Sequence, residues 1–135
     1  MLVEFVALAV VLLIPSLYFV LTLGSVQSAV FAADVIARDA SRIHATVEDP
    51  QLADARTRAM AAAVLADHGL PAQDVVTITC SASPCLTPGE QVHAHVRIGV
   101  GVPGLGPVLG GPLAVGADHQ VRVDEHRSLT PGTAP

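Results

Sequence analysis

The chain has no lysine and no tryptophan, one tyrosine, three phenylalanines and only 14% charged residues. Each shortage excludes something. Nucleic-acid binding needs clustered basic side chains and, for single strands, aromatic platforms. Here the seven basic residues are all Arg, scattered along the chain, and the net charge is −5. Nucleic acid is therefore set aside as a partner. The aromatics Phe5, Tyr18, Phe19 and Phe31 all lie near the N-terminus. A core for the rest must come from Val, Ile, Leu and Ala, which bury modest area at about 25 cal/mol per Å². Such a domain is marginal without a staple or neighbours.

Catalytic sets are missing as well. Ser41, Ser81, Ser83 and Ser128 sit in no G-x-S-x-G elbow. Glu48 and Asp49 are adjacent, so on a regular element their side chains diverge. No catalytic residue is assigned, and the chain reads as a non-enzyme. Gly99, Gly101 and Gly104 fit the letters of G-x-G-x-x-G. Pro103, Pro107 and Pro112 exclude a helix there, and no helix N-terminus would then meet a pyrophosphate. No cofactor and no small-molecule substrate are expected. His93 and His95 point to one face of a strand, but two ligands do not make a metal site. They read as part of a polar face, and His44, His68, His119 and His126 show no ligand spacing.

The only cysteines, Cys80 and Cys85, lie close together in TCSASPCL. An even count favours a disulfide in an oxidising compartment. Reduced thiols, or half of a metal site completed by His93 and His95, are the alternatives.

What the chain does have is a long apolar front. The first 33 residues carry one charge, Glu4, and the 29 that follow it, residues 5–33, are uncharged. Residues 5–23 (FVALAVVLLIPSLYFVLTL) form a helix of roughly 30 Å, the thickness of a bilayer core. A carboxylate is costly in hydrocarbon, so Glu4 is either the wet end of the helix or an acid neutralised by a partner. Pro15 removes one backbone bond and is expected to kink the membrane half.

Helical patterning continues past the membrane segment. Ala32, Ile36, Ala40, Ile43 and Val47 recur at three- and four-residue spacing, with Asp34, Arg38, Asp39 and Arg42 elsewhere. One helix over residues 2–46 would be about 65 Å long. A second helix is punctuated by Asp49 as cap, Pro50 at the first position, and Gly69 before Pro71. Leu52, Ala55, Ala59, Ala63 and Ala66 form the stripe expected to pack on the first helix.

The remainder reads as strands. Residues 75–80 (VVTITC) are β-branched. In residues 91–98, Val92, Ala94, Val96 and Ile98 alternate with Gln91, His93, His95 and Arg97. In residues 113–123, Leu113, Val115, Ala117, Val121 and Val123 share a face. The apolar Gly/Pro connection of residues 99–112, with Val102, Leu105, Val108 and Leu109, could rest on the domain, touch the membrane or dock on a neighbour; packing on its own domain is the expectation. The fold class is thus α+β: a long membrane-spanning helix continuing into a stem, a second short helix, and a small antiparallel sheet. The expected division is a transmembrane helix over 1–25, an amphipathic stem over 26–47, a small domain over 48–127 and a flexible tail over 128–135.

The order Leu2-Val3-Glu4-Phe5, the apolar run with Pro15, the link Val102-Pro103-Gly104-Leu105 and the closing Val121-Arg122-Val123 resemble the type IV pilin-like superfamily. More narrowly, the chain resembles the TadE-like minor pilins, or pseudopilins, of the tight-adherence (Flp) pilus system. The resemblance implies a pilin-like fold and an assembly role for the N-terminal segment, Glu4 and Phe5. In that family the acid pairs with a neighbour's terminal amine and so registers one subunit on the next. The implied partners are the lipid membrane and other pilus subunits. In that family a basic leader is cut after Gly; this sequence opens at Met1, so either the start lies upstream or this member is unprocessed. Arg38 and Arg42 follow the helix and no basic residue precedes it, which by charge bias places the C-terminus inside. The cysteines and the resemblance place the domain outside, in a single-pass protein of the cell membrane. The alternative is a single-pass or secreted extracytoplasmic binding domain with no filament role, fed by the small-residue pattern Val30-Phe31-Ala32 of a signal-peptidase site.

Overall fold

A computed structural model describes residues 1–126 of the chain. The expected tail over residues 128–135 lies outside the described residues. The architecture is α+β, with a single sheet laid across the second half of a very long helix. Helix α1 runs over Leu2–Thr46, 45 residues without interruption. Helix α2 follows over Pro50–Asp67, and then strands β1 (Val76–Cys80) and β2 (Gln91–Val100). A single helical turn, α3 (Gly106–Leu109), precedes strand β3 (Leu113–Arg122).

The break between the helices is set by local chemistry. Asp49 accepts a hydrogen bond from Gln51 N–H at 2.9 Å, and Pro50, which has no N–H to leave unpaired, opens α2. At the other end Gly69 takes φ 67°, a left-handed conformation that costs glycine little. Leu70 N–H then reaches back to Leu65 C=O at 2.8 Å and closes the helix end.

The sheet has the order β1-β2-β3 and is antiparallel throughout. Strand β2 is central, with Val76 opposite Val96 on one side and Val121 opposite Val92 on the other. Its alternation is clean: Val92, Ala94, Val96, Ile98 and Val100 are buried, while His95 and Arg97 face solvent. Of the face expected for β3, Val115, Ala117 and Val121 are half-buried and Val123, just beyond the strand, is buried, whereas Leu113 at its start is exposed.

The stem half of α1 fills the inner face of the sheet. Ala29, Ala32, Ala33, Ile36 and Ala37 pack with Val96, Ile98 and Val100 from β2 and with Ala61 and Leu65 from α2. A second cluster joins Ala45 to Val92 and Val123 at the opposite end of the domain. Strand β2 therefore runs antiparallel to α1, from the level of Ala45 back towards Ala29. The run of alanines on α1 lets sheet and helix approach closely. It also limits the apolar area each residue contributes.

One expectation about packing is corrected. Leu52, Ala55, Ala59, Ala63 and Ala66 are exposed, and α2 instead buries Ala53, Thr57, Ala61 and Leu65. The seam that buries Leu65, the largest side chain α2 places in the core, carries a threonine in its middle, where an apolar residue would have marked it.

Candidate functional site

The N-terminal half of α1 has almost no intramolecular partners. Every residue from 1 to 21 is exposed, among them Phe5, Leu8, Leu12, Leu13, Ile14, Leu17 and Phe19. This helix is long and apolar enough to cross a membrane, and none of its most apolar window is buried by the rest of the chain. Three of its hydroxyl side chains are satisfied within the helix. Ser16 Oγ donates to Leu12 C=O at 2.6 Å, Thr22 Oγ1 to Tyr18 C=O at 2.9 Å, and Ser25 Oγ to Thr22 C=O at 2.8 Å. Such back-bonding lets hydroxyls sit in an apolar segment without unpaired groups. Pro15 lies inside the helix, which continues through it.

Glu4 occupies the first turn of α1, where the helix dipole favours an acid. Glu4 and Phe5 are both exposed, so the structure brings no residue of the described chain against them. The N-terminal surface is a bare apolar rod with one carboxylate at its front.

The connection between β2 and β3 departs from expectation. It does not rest on the domain: Leu105, Val108 and Leu109 are exposed and Val102 is only half-buried. Nor do the prolines prevent every helical turn. Pro107 opens the single turn α3, where a missing N–H costs nothing, and Gly110 ends it at φ 70°. The loop is held against α1 by one polar contact, in which Tyr18 Oη donates to Pro103 C=O.

On the solvent face of the sheet, His93 and His95 stand beside Gln120 and Asp118 across the β2–β3 pair. His95 Nδ1 donates to the Asp118 carboxylate, an exposed pair. Among the described residues no group of three or more His, Cys, Asp or Glu gathers in a way that could hold a metal. Cys80 and Cys85 stand at disulfide distance, with Cα atoms 5.2 Å apart. The connection they begin is tied down further by Ser81, which donates to Glu90 at 2.6 Å and accepts from Gln91 N–H at 2.8 Å.

No protein-family model, curated protein or solved structure matches the chain.

Two polar features went unassigned in the sequence because they depend on how α1 and α2 meet. Ser28 Oγ and His68 Nδ1 share a hydrogen bond of 3.0 Å that ties the end of α2 to the stem. His44 is buried on the α2 side of the stem, with Nε2 3.6 Å from Asp54, too long for a hydrogen bond. Burial lowers the His44 pKa below its ordinary 6.5, and the Asp54 carboxylate opposes that shift. Thr57 Oγ1 is likewise buried without a partner among the described residues. These features bear on how firmly the stem and α2 are joined.

Proposed function

We propose that the chain is a membrane-anchored, non-enzymatic minor pilin or pilus-assembly subunit, of the kind its sequence resembles in tight-adherence systems. The observation that carries this reading is the division of α1. Its first half is an unpartnered apolar rod with Glu4 in the first turn, and its second half is the spine of the α+β domain. A rod of that kind has two physical uses, to lie in lipid and to pack against identical rods. A pilin uses it for both in turn. Glu4 supplies what bulk apolar packing lacks, a single directional contact. In surroundings of low dielectric, a carboxylate paired with a neighbouring ammonium would fix the axial position of one subunit against the next.

The domain lies outside the cytoplasmic membrane in this reading, where Cys80 and Cys85 would be oxidised. A binding domain released by cleavage after Val30-Phe31-Ala32 fits less well. Ala29, Ala32 and Ala33 are fully buried members of the core, so such a cut would divide the spine that the sheet packs on. The reading is tested by deleting the gene in a piliated host. Surface pili should be lost or greatly reduced in number, and return with the full chain. Undiminished piliation would count against an assembly role.

A further inference from the structure

We propose that the loop of residues 101–112 is a second membrane contact, inserting the apolar side chains of Leu105, Val108 and Leu109 among the lipids beside α1. The proposal rests on α1 being a membrane anchor, and it says what the anchor's neighbour does.

The loop GVPGLGPVLGGP contains no side chain able to make a hydrogen bond. Leu105, Val108 and Leu109 are 38%, 78% and 51% exposed, an arrangement that leaves bulky aliphatic groups facing outward at the tip of a hairpin. The position of that tip decides the occupant. Strand β2 runs down α1 from the level of Ala45 to that of Ala29, and the loop continues the same way until Pro103 meets Tyr18. Tyr18 lies five residues inside the apolar segment that ends at Leu23, about 7 Å along the helix axis. If the loop stood clear of lipid, the membrane segment would have to stop below Tyr18. Residues 2–17 would then span only about 24 Å, short of a hydrocarbon core of about 30 Å. A full-length span places the loop tip in the lipid.

Part of the loop backbone is already paired for that position. Non-helical backbone is costly at membrane depth unless its polar groups are paired. Pro103, Pro107 and Pro112 have no N–H to satisfy. The N–H groups of Leu105, Val108, Leu109 and Gly110 all donate to carbonyls within the loop. The Tyr18 hydroxyl is itself paired there, with the loop carbonyl of Pro103. The nearest charged residues on the two strands, Arg97 and Asp118, are set back from the tip.

The chain lacks tryptophan, so single substitutions report cleanly by fluorescence. Full-length Val108→Trp is reconstituted in phosphatidylcholine/phosphatidylglycerol vesicles, with Leu13→Trp as a probe inside the span and Ala55→Trp as a probe on the exposed face of α2. We expect Val108→Trp emission to be blue-shifted relative to Ala55→Trp. It should lose most of its intensity when the phosphatidylcholine is brominated on its acyl chains, and should resist aqueous iodide. Quenching of Leu13→Trp but not Val108→Trp by brominated lipid overturns the loop insertion while leaving the anchor intact. In that case a blue shift at Val108→Trp would mark a second protein chain as the occupant, and iodide quenching would mark water. Failure of brominated lipid to quench either probe overturns the anchor and the loop insertion together.

Discussion

Removing the Leu65 side chain is expected to destabilise the domain by about 3 kcal/mol, whereas removing that of Leu52 should cost almost nothing. Leu65 is 1% exposed and packs between the stem and the sheet, and Leu52, on the other side of the same helix, is 42% exposed. A buried Leu→Ala change loses roughly 2–5 kcal/mol, the transfer term plus the cavity it leaves. The neighbours of Leu65 include several alanines on α1, whose methyl groups cannot swing in to fill a gap. The cost should therefore lie in the middle of that range or above it. Small domains have only about 5–15 kcal/mol in total. At about 1.5 kcal/mol per M of urea, a 3 kcal/mol loss moves the unfolding midpoint by about 2 M. Pulse proteolysis of the full chain in mild detergent across a urea series reads this midpoint without interference from the detergent-bound half of α1. Comparable shifts for Leu52→Ala and Leu65→Ala would refute the assignment of the buried face of α2.

Two further outcomes concern polar groups. Above pH 6.5 His44 is neutral in both states; as pH falls through 6.5 the unfolded chain takes up a proton that the folded chain resists, so stability declines until the lowered folded pKa is reached. His44→Gln should flatten this acid-side slope in the same urea assay, and an unchanged slope would show that His44 does not titrate as its burial requires. Extracytoplasmic protein should show a two-proton mass loss in unreduced mass spectra. With a loop separation of five residues, Cys80→Ser should cost about 2 kcal/mol in the loop-entropy estimate. Two free thiols in such material would remove the staple.

The elements of the fold were legible where the residues differ in kind. The uncharged run after Glu4, the Asp49-Pro50 start and the alternation of Val92, Ala94, Val96 and Ile98 each distinguish an apolar position from a polar one. The structure has helices and strands at those places. The buried face of α2 was not legible, because alanines occupy most positions around that helix and the true seam is interrupted by Thr57. An alanine-rich helix gives periodicity little contrast to work with. The placement of the loop of residues 101–112 was not legible for another reason. Its composition is equally suited to packing inside or facing lipid, and only its distance along α1 separates the two. His44 and Asp54, like Ser28 and His68, are far apart in sequence and become neighbours only when α2 folds back on the stem. Glu4 stood out at once as an acid before an apolar run, and the fold adds that no described residue of its own chain covers it.

Whether the first turn of α1 works as an assembly contact is most directly measured with Glu4→Leu in cells deleted for the wild-type gene. The variant keeps the apolar rod and the whole domain, so it should remain in the membrane fraction at wild-type abundance. It should nevertheless fail to enter sheared pili or to restore their number. A Glu4→Leu chain that is incorporated and restores piliation as well as the wild type would contradict the assembly role of Glu4.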